Sequence, residues 1–256
     1  MKTTGNTILI TGGGSGIGRA LAEAFHKLGN QVIVAGRRKA ALDEVAAANP
    51  GMESAVLDVQ DMHAVDGFAG EITRRFPRLN VLINNAGIMK PENLRAGGDF
   101  SVVEATVQTN LLAPLRLTAG LLPHLMQQPR ATVMTVSSGL AFVPMAPTPT
   151  YCATKAAIHS WTQSLRYQLR GTSVEVLELI PPYVQTELMG THQTTDPHAM
   201  PLAEFIDEVM EILKTQPEAQ EICVKRVDPL RFAAEQGKHH EVFEGLNQAM
   251  SGASHE

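Results

Sequence analysis

Short apolar runs and longer amphipathic stretches alternate along almost the whole 256-residue chain, and that alternation leaves few folds open. Runs of strand length fall at residues 7–10, 31–35, 53–56, 81–84, 132–136, 174–179 and 221–224; stretches of helical period lie between them at 17–28, 39–47, 65–76, 101–125, 151–170 and 202–214. The runs are rich in Val, Ile and Leu with little polar alternation, which suits strands buried on both faces. The pattern predicts an α/β fold, a doubly wound, mostly parallel seven-stranded sheet with helices on both faces, and disfavours a barrel or sandwich. No repeat and no Gly/Ser or Pro linker divides the chain, so one domain over residues 1–256 is expected. A long segment around residues 189–201 breaks the rhythm and marks 187–215 as a candidate substrate lid. A further helix is expected over 228–250, and fraying over 251–256.

Composition removes several functions. With 21 Lys+Arg against 26 Asp+Glu the net charge is −5, and the basic clusters Arg37-Arg38-Lys39 and Arg74-Arg75 are too short for an electrostatic stripe, so no nucleic-acid partner is expected. Cys152 and Cys223 supply neither a disulfide framework nor a zinc spacing, and the nine histidines include no His-Glu-x-x-His, so no metal is expected. Cys152 is read as a small packed residue rather than a redox switch. No apolar run approaches the roughly 20 residues that span a bilayer, and Ile8-Leu9-Ile10 is too short for a signal-peptide core. The expectation is a cytoplasmic protein with no membrane partner.

Directly after the first run, and directly before a helical stretch, stands Thr11-Gly12-Gly13-Gly14-Ser15-Gly16-Ile17-Gly18. Glycines permit a tight turn and let the backbone approach a pyrophosphate, whose charge rests on unpaired N–H groups at a helix N-terminus. Gly12, Gly16 and Gly18 give G-x-x-x-G-x-G, and G-x-G-x-x-G cannot be laid on this stretch. The alternative is a glycine-rich turn that only packs. The second run ends in Ala35-Gly36-Arg37-Arg38, with two guanidiniums where many dinucleotide folds place a carboxylate on the adenosine ribose. Arg meets phosphate with a planar fork, so NADP(H) is expected in preference to NAD(H), which stays open. A solvated basic turn is the alternative for the arginines. Asp58, after the third run, could accept from an adenine amino group or simply close a turn.

Tyr151 and Lys155 stand at i and i+4 on a stretch whose Ile158, Trp161, Leu165 and Leu169 face inward, so the pair projects from one face. A phenol is a poor proton carrier at neutral pH, but an ammonium beside it favours the phenolate. Such pairs also occur as plain surface contacts. Here Ser137-Ser138-Gly139 comes just past a buried run, Asn84-Asn85-Ala86-Gly87 follows another, and Asn110 lies in the stretch after it. In a doubly wound sheet these segments converge beyond the carboxyl ends of the strands. Taken singly, serines in a turn, an Asn-Gly loop and a locally satisfied helix Asn are the alternatives.

Together the motifs resemble the classical short-chain dehydrogenase/reductase (SDR) family, whose members have a Rossmann fold, over nearly the whole length through about Thr186. The family's Thr-Gly-x-x-x-Gly-x-Gly is met at Thr11, Gly12, Gly16 and Gly18, and its Asn-Asn-Ala-Gly at Asn84 to Gly87. The resemblance implies a catalytic set of Asn110, Ser138, Tyr151 and Lys155, with Ser138 preferred over Ser137 on the family's spacing to the tyrosine. It implies cofactor contacts from Thr11, Gly12, Gly14, Ser15, Gly16, Ile17 and Gly18 in the turn, and from Arg37 and Arg38. Asp58 would meet adenine with Val59 beside it. Asn85, Ala86 and Gly87 would flank the cofactor, with Tyr151 and Lys155 below its nicotinamide half. Thr186 would meet the carboxamide, and Val184 would lend backbone groups next to Pro181. Two departures stand out: Pro181-Pro182 replaces the family's usual Pro-Gly, and the last third differs from its commonest ending.

The reaction so implied is hydride transfer between nicotinamide and a carbonyl or secondary alcohol, with reduction by NADPH expected. Tyr151 would exchange the proton, Lys155 would lower its pKa and hold the ribose, Ser138 would donate to the oxyanion, and Asn110 would anchor a water linking Lys155 to solvent. Leu140, Phe142, Pro144, Tyr183, Leu188 and Met189 flank these segments and suggest a small, apolar substrate. The resemblance also implies a homodimer or homotetramer through the stretches after Ser101 and Tyr151. A non-catalytic dinucleotide-binding sensor on the same fold is the alternative, and it has no use for the tyrosine. A methyltransferase on a similar sheet would need neither Tyr151 nor Lys155.

Overall fold

The computed structural model describes the backbone of residues 1–252 and the side chains of residues 1–249. Strands β1 (Thr7–Thr11), β2 (Gln31–Gly36), β3 (Glu53–Val56), β4 (Val81–Asn84), β5 (Ala131–Val136), β6 (Val174–Ile180) and β7 (Glu221–Cys223) form one parallel sheet in the order β3-β2-β1-β4-β5-β6-β7. The order reverses between β1 and β4, which opens a crevice beyond their carboxyl ends. The helices are α1 (Gly16–Lys27), α2 (Lys39–Ala48), α3 (Met62–Arg75), α4 (Phe100–Val107), α5 (Ala113–Leu125), α6 (Pro149–Gln168), α7 (Leu202–Thr215), α8 (Asp228–Arg231) and α9 (His239–Gly252).

Alternate strand residues feed two cores. Ile8, Ile10, Val32 and Val34 pack against Leu21 and Phe25 of α1, Val45 of α2 and Phe205 of α7. Leu9, Ile33 and Leu82 point the other way, against Phe68 and Ile72 of α3, Leu121 of α5 and Leu165 of α6. Both faces of the central strands are dry, which is why β1, β2, β4 and β5 read as nearly unbroken apolar runs. Phe25 and Phe205 are fully buried, and removing such a ring from a core costs about 3–5 kcal/mol.

Three expectations need correction. The helix expected over 101–125 is two helices joined by a π-turn at Gln108–Leu112. Pro114 has no N–H to offer the carbonyl of Asn110 four residues back, so the regular ladder cannot run through. The helix expected over 228–250 is broken into α8 and α9, with Gly237 in the left-handed region (φ 68°) between them. Of the 187–215 segment, α7 belongs to the scaffold, with Phe205 and Val209 buried; only the preceding loop, with its short 3₁₀ turn Thr191–Thr195, lies by the crevice. Fraying was expected over 251–256; Ser251 and Gly252 close α9, and the rest lies outside the described residues. Among the described residues no helix is long and apolar enough to cross a membrane.

Candidate active site

Two cavities open along the crevice, one of about 140 Å³ and one of about 620 Å³, and Gly12, Ser15, Arg37, Arg38, Ala86 and Gly87 line both. β1 runs into the glycine turn, where Gly12 takes a left-handed φ of 68°. Gly18 faces the back of the turn: a Cβ there would stand 2.4 Å from both Asn85 Nδ2 and the Gly12 carbonyl oxygen. Thr11 also works from behind. Its Oγ1 accepts from Asn85 N and Ala86 N, each at 3.1 Å, and Asn85 Nδ2 donates to the Thr11 carbonyl at 2.9 Å. The turn and the strap after β4 are thus stitched together.

At α1, Ser15 is extended and makes no side-chain cap; its Oγ accepts from Arg38 Nη2 at 3.0 Å. By contrast, Asp61 caps α3 through His63 N and Ala64 N. A side-chain-free turn, an uncapped helix start and two guanidiniums on one wall fit the phosphates of a dinucleotide. Gly14, Gly16, Ile17 and Val59 line the cavities as well. Asp58 does not; its Oδ1 accepts from Gln60 N at 2.9 Å, closing a turn. Gln60 and Thr109, unforeseen in the sequence, meet at 2.9 Å on the wall of the smaller cavity.

Ser138, Tyr151 and Lys155 come together in the larger cavity. Ser138 leaves β5 extended, its Oγ accepts from Leu140 N at 3.1 Å, and it is hydrogen-bonded to Tyr151. Burial pushes the Tyr151 phenol up to about 12, and the Ser138 bond draws it partly back. Burial brings the Lys155 amine down to about 8, with Glu178 opposing. Lys155 Nζ donates to the Val136 carbonyl at 2.7 Å and lies 5.6 Å from the Tyr151 ring centroid, so desolvation of the phenol dominates.

Asn110 lies in the π-turn and outside the cavity wall. Its Oδ1 accepts from Ile88 N at 2.9 Å, while its Nδ2 donates to Ile88 O at 2.9 Å and to Thr154 Oγ1 at 3.3 Å. The side chain therefore clamps the strap after β4 onto α6, one residue before Lys155.

Around this polar floor the wall is apolar. Leu140, Tyr183, Leu188 and Met189 line the cavity as expected, together with Pro181, Pro182, Val184 and Thr186. Tyr183 is no rival phenol: it donates to Asp196 Oδ2 at 3.0 Å, and burial and that carboxylate push it up to about 12. Phe142 and Pro144 do not line it. Phe142 sits edge-on to His159 at 4.7 Å with the Arg231 guanidinium 4.5 Å over its ring, and the Pro144 carbonyl accepts from Asn247 Nδ2 at 3.2 Å. Among the wall residues that were missed are Met89, Met145, Leu230 and Leu246. Leu230 reaches in from α8 so closely that a Cβ on Gly139 would stand 2.7 Å from it. Leu246 reaches in from α9, which is anchored where Asn247 Oδ1 accepts from Ala146 N at 2.7 Å. The amphipathic period of this stretch was visible, but nothing in it said where the helix docks.

The fold also gathers His159, Glu178 and Glu221, whose ligand-type atoms lie within 4.8 Å of one another. Arg231 already forks Glu221 at 2.7 and 3.2 Å, so a guanidinium stands where a cation would be needed. Cys152 is buried, and its sulfur accepts from Met145 N at 3.3 Å.

Comparison with known proteins agrees with this geometry. The family model for short chain dehydrogenase matches residues 6–197. The uncharacterized oxidoreductase DltE of Bacillus subtilis (strain 168) is 41% identical over 251 residues, covering 96% of this chain and 98% of the relative. Among solved structures, a short-chain dehydrogenase from Streptomyces avermitilis superposes with a TM-score of 0.81 at 25% identity, covering 98% of this chain and 99% of that one. A short-chain dehydrogenase from Sphingobium yanoikuyae in complex with NADPH gives 0.77 at 26% identity, over 93% and 95%.

Proposed function

We propose that this chain, which belongs to the short-chain dehydrogenase family and is an oxidoreductase, uses NADP(H) to reduce the carbonyl of a small apolar substrate. One observation carries the reading: Ser138, Tyr151 and Lys155 form the polar floor of a cavity with an apolar wall that continues into a glycine turn flanked by Arg37 and Arg38. The likeness to a solved relative in complex with NADPH supports the cofactor. Arg37 and Arg38 would hold a 2′-phosphate, the turn from Gly12 to Gly16 the pyrophosphate, and Thr186 with Val184 the nicotinamide end. Bound there, the nicotinamide supplies or accepts the hydride.

Tyr151 does the proton work. A phenol kept in its OH form by burial is a donor, which suits reduction: it hands its proton to the oxygen of the carbonyl as negative charge develops there. Ser138 aligns the phenol and donates to the same oxygen. Lys155, as an ammonium, holds the ribose and favours the phenolate left behind. With its amide committed to Ile88 and Thr154, Asn110 has its backbone carbonyl to offer a water on the way from Lys155 to solvent; Pro114 cannot occupy it. The 187–201 loop acts as the lid, pinned where the buried Gln193 donates from Nε2 to Val184 O at 2.7 Å and to Thr186 Oγ1 at 3.1 Å. The working form is a cytoplasmic homodimer or homotetramer.

The test is to titrate NADPH and NADH into wild type and Arg37→Asp, then to follow NADPH oxidation with small apolar ketones and aldehydes. We expect NADPH to bind about 10-fold tighter or more in wild type, from charge-assisted bonds to phosphate, and the variant to lose that preference. Equal affinities would overturn the NADP assignment. Binding of neither nucleotide would overturn the function, and binding without turnover on any carbonyl would leave a dinucleotide sensor.

A further inference from the structure

Glu178 stands in the middle of β6 with no exposed surface. Its register partner on β5 is Thr135, whose Oγ1 meets Thr162 Oγ1 of α6 at 2.8 Å, so both rungs turn polar side chains toward α6. Burying a carboxylate is costly unless a partner stabilises it. The partner is His159 of α6, whose Nδ1 lies 2.9 and 3.1 Å from the two carboxylate oxygens. A carboxylate only accepts, so His159 carries its proton on Nδ1. Its Nε2 in turn lies 3.1 Å from Gln163 Nε2. Those contacts orient the ring and hold the carboxylate in place.

Lys155 lies one turn before His159 on the same face of α6. Its Nζ sits on the carbonyl of Val136, the residue after Thr135 on β5. Other charged or titratable groups also face Glu178. Arg166 of α6 is pinned to the backbone, donating to Val176 O at 2.9 Å and Gln220 O at 3.1 Å. From β7, Glu221 is neutralised by Arg231 of α8, which also pairs with Glu235, and burial pushes the Cys223 thiol up to about 12, so it stays uncharged. Of the lysine and arginine that face the buried carboxylate, only Lys155 opens on the cavity.

We propose that Glu178, fixed by His159, is a positioning residue that keeps Lys155 an ammonium beneath the catalytic tyrosine. The proposal rests on the reading of Lys155 as the support of Tyr151. It accounts for a buried acid–imidazole pair that the reaction itself does not touch. Burial alone works against the charge on Lys155, and Glu178 is the group that opposes it. If the lysine loses its charge, Tyr151 loses the cation that stabilises its phenolate, so removing Glu178 should curtail activity from the alkaline side.

The experiment reads Lys155 without needing turnover. Reductive methylation with formaldehyde and cyanoborohydride is followed by mass spectrometry across pH, with the exposed Lys39 as internal reference. In Glu178→Gln the labelling midpoint of Lys155 should fall by about one pH unit, since an opposite charge nearby is worth that much or more. Glu178→Asp, which keeps the charge, should fall between the two, and Lys39 should not move. The alkaline limb of NADPH-driven turnover should retreat with the midpoint, while the acid end stays near wild type. A folded Glu178→Gln with an unchanged midpoint, or a turnover loss equal at every pH, would overturn the proposal. Should Glu178→Gln fail to fold, Glu178→Met, which also removes the charge, is read in its place, and an unchanged midpoint there overturns the proposal. A shifted midpoint in a protein that reduces no carbonyl would sustain the Glu178 coupling and sink the catalytic reading instead.

Discussion

The two ends of the crevice are built from different material. At the nucleotide end the wall is backbone: a turn of glycines, an uncapped helix start and a strap stitched to it through Thr11, with Arg37 and Arg38 as the main side-chain contribution. At the catalytic end the wall is side chains drawn from β5, α6, the loop after β6 and the two helices of the C-terminal segment. A site made of backbone demands consecutive residues of fixed type, because each N–H must point at the ligand. A site made of side chains needs only that distant segments meet. The first constrains a short motif; the second constrains a fold.

If the division is real, the two ends should fail separately. The largest effect is expected at Tyr151. Tyr151→Phe removes the proton donor without changing the volume of the cavity, so turnover should fall about 10²–10⁴-fold, the usual worth of a positioned acid. NADPH affinity should stay within about twofold, which is inside the scatter of an exchange that breaks no phosphate contact. Stopped-flow rates and nucleotide titration on one preparation check both halves, and a parallel collapse of binding would mean that the ends are one unit.

The converse substitution is Gly18→Ala. A Cβ 2.4 Å from the Gly12 carbonyl oxygen and Asn85 Nδ2 forces the turn itself to move, and overpacking of this kind costs about 1–3 kcal/mol. NADPH affinity should fall about 10–100-fold by that cost, while the maximal rate at saturating cofactor is retained. Gly70 of α3, with nothing within 4 Å of an added Cβ, is the control: Gly70→Ala should stabilise the helix by about 1 kcal/mol, read as a higher Tm. Loss of maximal rate in Gly18→Ala would blur the division from the other side.

The same division explains what was legible in the sequence. The seven strands were placed within a residue or so, the central ones because doubly buried strands leave no polar alternation to confuse them. The turn from Thr11 to Gly18 was legible because its chemistry is consecutive. Ser138, Tyr151 and Lys155 were legible because two of them share a helix face and the third ends a neighbouring strand. Asn110 was placed in an unbroken helix, since a π-turn leaves no composition signal except the proline that follows it. Leu230 and Leu246 were missed as wall, and Phe142 and Pro144 were taken for it, because loop residues beside the serine can face away while a helix far along the chain folds back. The Glu178 pair was invisible for the same reason: its members lie on different elements, and neither carries a motif.

The smallest effect tests the least legible part of the wall. Leu246 packs with Met89, Met145 and Tyr151, and α9 is tied down by Asn247, so the helix belongs to the cavity of its own chain. Leu246→Ala removes three carbons from the wall and leaves the glycine turn untouched. Since one methylene of fit in a hydrophobic pocket is worth about 1–3 kcal/mol, preference should shift toward ketones longer by one to three carbons, by about 10-fold in relative kcat/KM. Nucleotide affinity should not move, and Tm should drop only slightly because Leu246 is half-buried. The measurement is a series of alkyl ketones of increasing length, wild type against variant. A preserved length profile would make α9 a brace rather than a wall and leave Leu230 as the C-terminal segment's share of the pocket, whereas a shift with intact cofactor binding would show specificity to be held by a segment beyond the residues that the family model matches.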